Sequence, residues 1–236
     1  MIAIWKRELQ SYFYTPVGYV FMGVFLTLAG MMFYMQNLSQ LQGSVLLLLG
    51  QITFLWMLLS PVLTMRLLAE ERRQKTDQLL LTSPVSLTGV VLGKYLAAAT
   101  VLVGTVLLTF LYVVVIALFG QVYPGELFVG YLGFILQGCA FLALDLFISG
   151  CAKNQITAAI AAFGVNLMLW VLDLMANAVT APALVAVLKF LSLYSRYEPF
   201  LLGQLSYASI LYDITFSAFF LIATVRLLDA RRFREG

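Results

Sequence analysis

Residues 66–84 read Arg-Leu-Leu-Ala-Glu-Glu-Arg-Arg-Gln-Lys-Thr-Asp-Gln-Leu-Leu-Leu-Thr-Ser-Pro, and here an otherwise oily chain turns densely charged. Glu70, Glu71 and Asp77 are matched by Arg72, Arg73 and Lys75. A stretch that serves anionic lipid or nucleic acid carries a net positive run; this one does not, so no nucleic-acid partner is expected. In a helix, Glu71 would face Lys75 and Arg73 would face Asp77 four residues on, each pair adding about 0.3 kcal/mol. The residues alone leave two readings open: a solvated turn between membrane helices, or a rigid contact for another protein.

What flanks the stretch fixes the fold class. Of the 236 residues, 62% are hydrophobic and 11% charged, with mean hydropathy +0.97, whereas about a quarter of the residues of soluble proteins are charged. At about 20 residues per crossing, the length holds six membrane helices with short loops and no soluble domain beside them. The chain contains no histidine, which removes imidazole acid–base chemistry and imidazole metal ligands. Cys139 and Cys151 fall on or beside one apolar segment and read as small buried residues, so no metal site is expected.

In chain order, residues 1–16 carry Trp5, Lys6, Arg7 and Glu8 among aromatics, a mixture suited to a helix lying at the bilayer surface. Apolar runs at 17–38, 45–68, 86–119, 127–150, 155–178 and 207–229 predict six spans. The first is too long for a signal peptide and lacks a small-residue cleavage site. Pro61 interrupts the second, where a kink is expected. Ser86 is a natural N-cap for the third, and Lys94 lies in its first turns, so the membrane part is expected to begin just beyond it. Residues 69–84 form the charged connection and 183–194 a short outer helix between Pro182 and Pro199. Residues 230–236 close the chain as a basic tail. All but two of the 14 Lys and Arg residues fall on one side, with Lys189 and Arg196 opposite. The positive-inside rule then places both termini and the charged connection in the cytoplasm.

Candidate chemistry is sparse. Gly89-Val90-Val91-Leu92-Gly93-Lys94 has one residue too few between its glycines for a phosphate-binding loop and Tyr95 where Ser or Thr is needed. It reads instead as helix packing through small residues. Asp145, Asp173 and Asp213 lie within or near the ends of helices four, five and six and are candidate intramembrane polar sites. Asp145 falls near the cytoplasmic end of its helix, and the other two fall toward outer ends where water is near. They would serve as inter-helix contacts or, in an ion-driven transporter, as a proton or cation relay. Tyr12, Phe13, Tyr14 and Tyr19, with Tyr194, Tyr197 and Tyr207, read as interfacial belts.

Several stretches together resemble the ABC-2 type permeases, and most closely their gliding-motility-associated branch. They are Lys6-Arg7-Glu8 with Tyr12-Phe13 and Pro16-Val17-Gly18-Tyr19; Leu63-Thr64-Met65-Arg66 with Ala69-Glu70-Glu71-Arg72-Arg73; and Leu79-Leu80-Leu81-Thr82-Ser83-Pro84-Val85 with Gly93-Lys94. Asn154-Gln155 with Ala158-Ala159-Ile160, and Leu191-Ser192-Leu193-Tyr194, extend the likeness over most of the chain.

The resemblance implies an all-α integral membrane protein of the ABC-2 (type V) exporter kind: an N-terminal interfacial helix, six transmembrane helices, a cytoplasmic coupling helix between the second and third, and a short outer helix before the sixth. It implies a non-catalytic permease subunit of a prokaryotic inner-membrane exporter. Two copies of an ABC ATPase would bind ATP and Mg, so that this chain holds no cofactor itself. A second permease, identical or different, would complete the path, and an auxiliary membrane or periplasmic protein could join it. The residues matching the ATPase-coupling segment are Glu70, Glu71, Arg72, Arg73, Lys75, Thr76, Asp77, Leu79 and Leu80. Many relatives carry glycine where this chain has Lys75; lysine resists positive φ, which argues against a bend there. An ion-driven secondary transporter, and a scaffold that passes ATPase motion to a motility or envelope machine without transport, stay open beside the exporter.

Overall fold

A computed structural model describes residues 1–40, 43–75, 86–119, 121–178 and 182–232. Among them there is no strand. The described residues form ten helices in order: α1 (Ile2–Tyr14), α2 (Val17–Phe33, continued by a wider π turn, Tyr34–Leu38), α3 (Val45–Thr64), α4 (Ala69–Arg73), α5 (Leu87–Phe119), α6 (Pro124–Cys151), α7 (Gln155–Ala178), α8 (Pro182–Leu191), α9 (Leu193–Leu201) and α10 (Tyr207–Arg232). Six of these, α2, α3, α5, α6, α7 and α10, are long and apolar enough to cross a membrane, so the fold is the expected all-helical membrane bundle. Ser86 caps α5 as expected, its hydroxyl accepting the Gly89 N–H at 3.3 Å.

The bundle is built on α6 and α3. Their apolar windows are 61% and 56% buried, against 22% for α7 and α10, and α6 packs on α3, α5, α7, α9 and α10. Trp56 of α3 fills the centre, edge-on to Phe21 and Phe25 of α2 at 5.7 and 5.8 Å and to Phe134 of α6 at 6.3 Å between ring centroids. Aromatic pairs in this geometry add about 0.5–1.5 kcal/mol each beyond buried area. Along α6, glycines admit neighbours that a side chain would repel. A Cβ at Gly133 would press on the ring of Phe200 of α9, with Cδ2 at 2.8 Å, and one at Gly130 would stand 2.5 Å from Leu46. Gly133→Val is therefore expected to cost at least about 1–3 kcal/mol as overpacking. The cost should fall when Phe200→Ala is added; thermal unfolding of both variants in detergent checks this.

Two expectations need correction. The single outer helix over 183–194 is two helices, broken at Ser192, whose hydroxyl caps α9 by accepting the Ser195 N–H at 3.1 Å. In the described part of the charged connection, residues 69–75, the helix α4 ends at Arg73; residues 76–84 lie outside the described residues. Lys75 takes φ 56° and turns the chain. The bend therefore exists despite the lysine, because the contacts of α4 with α5 and α6 just before it outweigh a backbone cost on the order of 1–2 kcal/mol.

Candidate functional site

The charged residues gather at the end of the bundle where α1, α4, α5 and the junction of α6 with α7 meet. Lys94 stands there, two turns into α5, and only 1% of its side chain is exposed. Its Nζ donates to Glu71 Oε1 of α4 at 2.8 Å and to Glu8 Oε1 of α1 at 3.1 Å. An ammonium with no water must be paired, and here two carboxylates from separate elements pair it. Arg7 flanks the group, 2.9 Å from Glu8 and 3.4 Å from Glu71. The Glu8 carboxylate hydrogen-bonded to it is the main cause of an Arg7 pKa above its ordinary value.

Around this clasp each element is tied by a bond that the local backbone calls for. Gly93 lets α1 approach α5: a Cβ there would lie 3.0 Å from Ile4 and 3.1 Å from the Met1 carbonyl. Trp5 Nε1 donates to Thr100 Oγ1 at 3.0 Å on the same pair of helices. The buried Tyr12 hydroxyl donates to the Leu63 carbonyl at 2.6 Å, a group stranded where α3 ends and its carbonyls lack helical donors. Burial raises the Tyr12 pKa, so the phenol stays a neutral donor. Arg66 Nη1 reaches Thr15 Oγ1 at 3.0 Å. Ser149 of α6 accepts the Ala69 N–H and donates to the Met65 carbonyl, both at 3.3 Å, so it holds both ends of the link between α3 and α4. Arg72 donates to the Cys151 and Ala152 carbonyls at 3.2 and 2.9 Å, and Arg231 donates to that of Gly150. Two cations thereby answer the negative end of α6. Glu70 accepts from Gln155 at the start of α7 and from Gln74, the latter at 2.6 Å.

A model of the family described as ABC-2 family transporter protein matches residues 2–228. The chain belongs to the ABC-2 transporter family. None of the curated proteins compared with this permease matches it.

The permease distributes its expected contact residues over two roles. Glu71 turns inward to Lys94 and Arg7 rather than along its own helix to Lys75, because α4 stops before the four-residue spacing can close. Glu70 and Arg72 face α7 and α6. Arg73, 63% exposed and 3.5 Å from Glu70, and Lys75 point outward. Thr76, Asp77, Leu79 and Leu80 lie outside the described residues. On α1, Trp5 and Glu8 face α5, while Lys6 and Arg7 are exposed.

The three aspartates sit in three separate settings, and all three side chains are buried. Asp173 is buried and accepts from Ser192 Oγ at 2.9 Å and from Ser195, which fixes α7 to the break between α8 and α9. Asp213 of α10 is 2% exposed. It feels the charge of Arg196 of α9, whose guanidinium lies 5.0 Å over the neighbouring Tyr212 ring. Asp145, fully buried, accepts from Ser60 of α3 at 2.6 Å and from Asn166 of α7 at 3.0 Å.

Reading by sequence missed Lys94, Ser149, Ser60 and Asn166 as members of these groups. Lys94 had a signal: one cation inside a long apolar helix, beside a glycine pair at four-residue spacing, marks a close helix approach that must bring carboxylates with it. Asn166, a lone amide deep in an apolar run, carried a weaker signal of the same kind.

Proposed function

We propose that this permease is the membrane-spanning subunit of an ATP-driven exporter, and that the end bearing the Lys94 clasp is where a separate ABC ATPase docks and delivers its stroke. One observation carries the reading. Lys94 joins the surface helix α1, the charged helix α4 and the spanning helix α5 through a single buried ammonium, so a push on α4 reaches a membrane helix and α1 together. The family resemblance and the balanced charge of the connection support a protein contact there rather than a lipid one. ATP and Mg belong to two ATPase copies, and this chain takes no catalytic role. The path forms against a second permease, identical or different. By its basic residues the clasp end and both termini face the cytoplasm of a prokaryotic inner membrane. Its motifs resemble those of the gliding-motility branch, which supports an auxiliary envelope protein as a further partner.

Affinity purification of the permease from its native membranes is expected to recover an ABC ATPase. After reconstitution in liposomes, that ATPase should hydrolyse ATP at least several-fold faster with the permease than without it. A permease that purifies alone and moves solute on an ion gradient without ATP overturns the proposal; ATP turnover without any vectorial movement of solute points to the scaffold.

A further inference from the structure

Pro61 lies inside α3. A proline has no N–H, so the carbonyl four residues earlier, that of Met57, loses its helical donor deep in an apolar setting. Asn166 of α7 faces this point. Its Nδ2 donates to the Met57 carbonyl at 3.2 Å and also meets Asp145 Oδ1 at 3.0 Å and Ser60 Oγ at 3.5 Å. The three oxygens fix which way the amide points, since turning it over would set oxygen against oxygen. Asn166 is fully buried and its Oδ1 has no partner, so the side chain is held there as a donor, at the expense of its acceptor. Asp145 completes the arrangement by taking the Ser60 hydroxyl at 2.6 Å.

We infer that Asn166 is a positioning residue: it supplies the donor that Pro61 removes from α3 and, with Asp145, pins the Pro61 turn of α3 to α6 and α7. Beyond that turn lie Leu63, held by Tyr12, and the link to α4 held by Ser149. The pin therefore sets the direction in which residues 61–73 leave the bundle and the pose in which Glu71 and Arg73 are offered. That last consequence rests on the docking role proposed above, whereas the pin itself does not.

The test is a four-member cycle of the whole permease in detergent: unaltered chain, Pro61→Ala, Asn166→Val and the double variant, each read by thermal unfolding. With Pro61 present, Asn166→Val strands a buried carbonyl, and a fall in Tm of roughly 3–10 °C is expected. In the Pro61→Ala background the Met57 carbonyl regains a helical donor, and the same substitution is expected to cost measurably less, the remaining fall coming from the bond to Asp145 that is lost in both backgrounds. Filling space alone would give the same fall in both backgrounds, and additive losses overturn the inference. If Asn166→Val cannot be recovered from membranes, recovery of the double variant takes its place as the readout: its presence supports the pin and its absence overturns it. ATP turnover by a co-purified ATPase is a separate measurement. Its loss in Asn166→Val with partner binding intact supports the consequence for pose, and unchanged turnover removes that consequence while leaving the cycle to judge the pin.

Discussion

Lys94→Met is expected to destabilise the permease by roughly 3–5 kcal/mol, the usual cost of removing one partner from a buried ionic group. The size of the effect comes from what is left behind. Glu8 and Glu71 are 14% and 18% exposed, and without the ammonium both carboxylates remain in a site largely closed to water. Arg7 cannot replace it, since its guanidinium is 62% exposed and its attraction is screened. The damage should be local before it is global: α1 detaches from α5, and limited proteolysis near residues 7–14 accelerates ahead of any loss of the six spans. Neutralising the carboxylates at the same time, with Glu8→Gln and Glu71→Gln, is expected to restore most of the loss, because a fully neutral cluster leaves no charge unpaired. Unfolding in detergent and the proteolysis rate read both effects. A Lys94→Met variant that melts like the parent and keeps α1 protected would mean that the ammonium is not what holds the clasp.

The six spans were legible in the sequence because each is a long apolar run and the bilayer tolerates little else. The Ser86 cap and the glycine face at Gly93 were legible too, since each acts through its own backbone. The features that depend on distant partners were not. The partners of Lys94 lie 86 and 23 residues away, so a local reading saw only an interfacial lysine. The same limit misdirected Glu71. Spacing paired it with Lys75 on one helix face, but a five-residue helix has no such face, and a buried ammonium competes for the carboxylate with far more effect than a solvated neighbour. Asp173 and Asp213 were placed near water by counting residues from helix ends. The count could not show that α8 and α9 fold back over them and supply Ser192, Ser195 and Arg196.

The division within α4 leads to the second large effect. Arg73→Glu is expected to abolish recovery of the co-purifying ATPase while leaving the melting temperature of the permease nearly unchanged. Arg73 is well exposed and its one ion pair in the described structure, with Glu70, is 3.5 Å long, so reversing its charge costs the fold only about 0.3–0.5 kcal/mol. At the centre of a protein contact, by contrast, an arginine commonly contributes about 2 kcal/mol or more, roughly 30-fold in affinity, and reversal adds repulsion that salt should weaken. Glu71→Ala, two residues away, should behave differently. Its carboxylate faces Lys94, so its loss lowers permease stability first and partner recovery only as a consequence. Lys75→Glu, on the outward-facing bend, should follow Arg73 rather than Glu71. Three single variants, each measured for melting temperature and for ATPase recovered per permease, therefore separate the surface a partner touches from the clasp behind it. If Arg73→Glu and Lys75→Glu keep the partner, the docking surface is not the outward face of this bend. If either lowers stability as far as Glu71→Ala, that side chain belongs to the clasp and not to the contact.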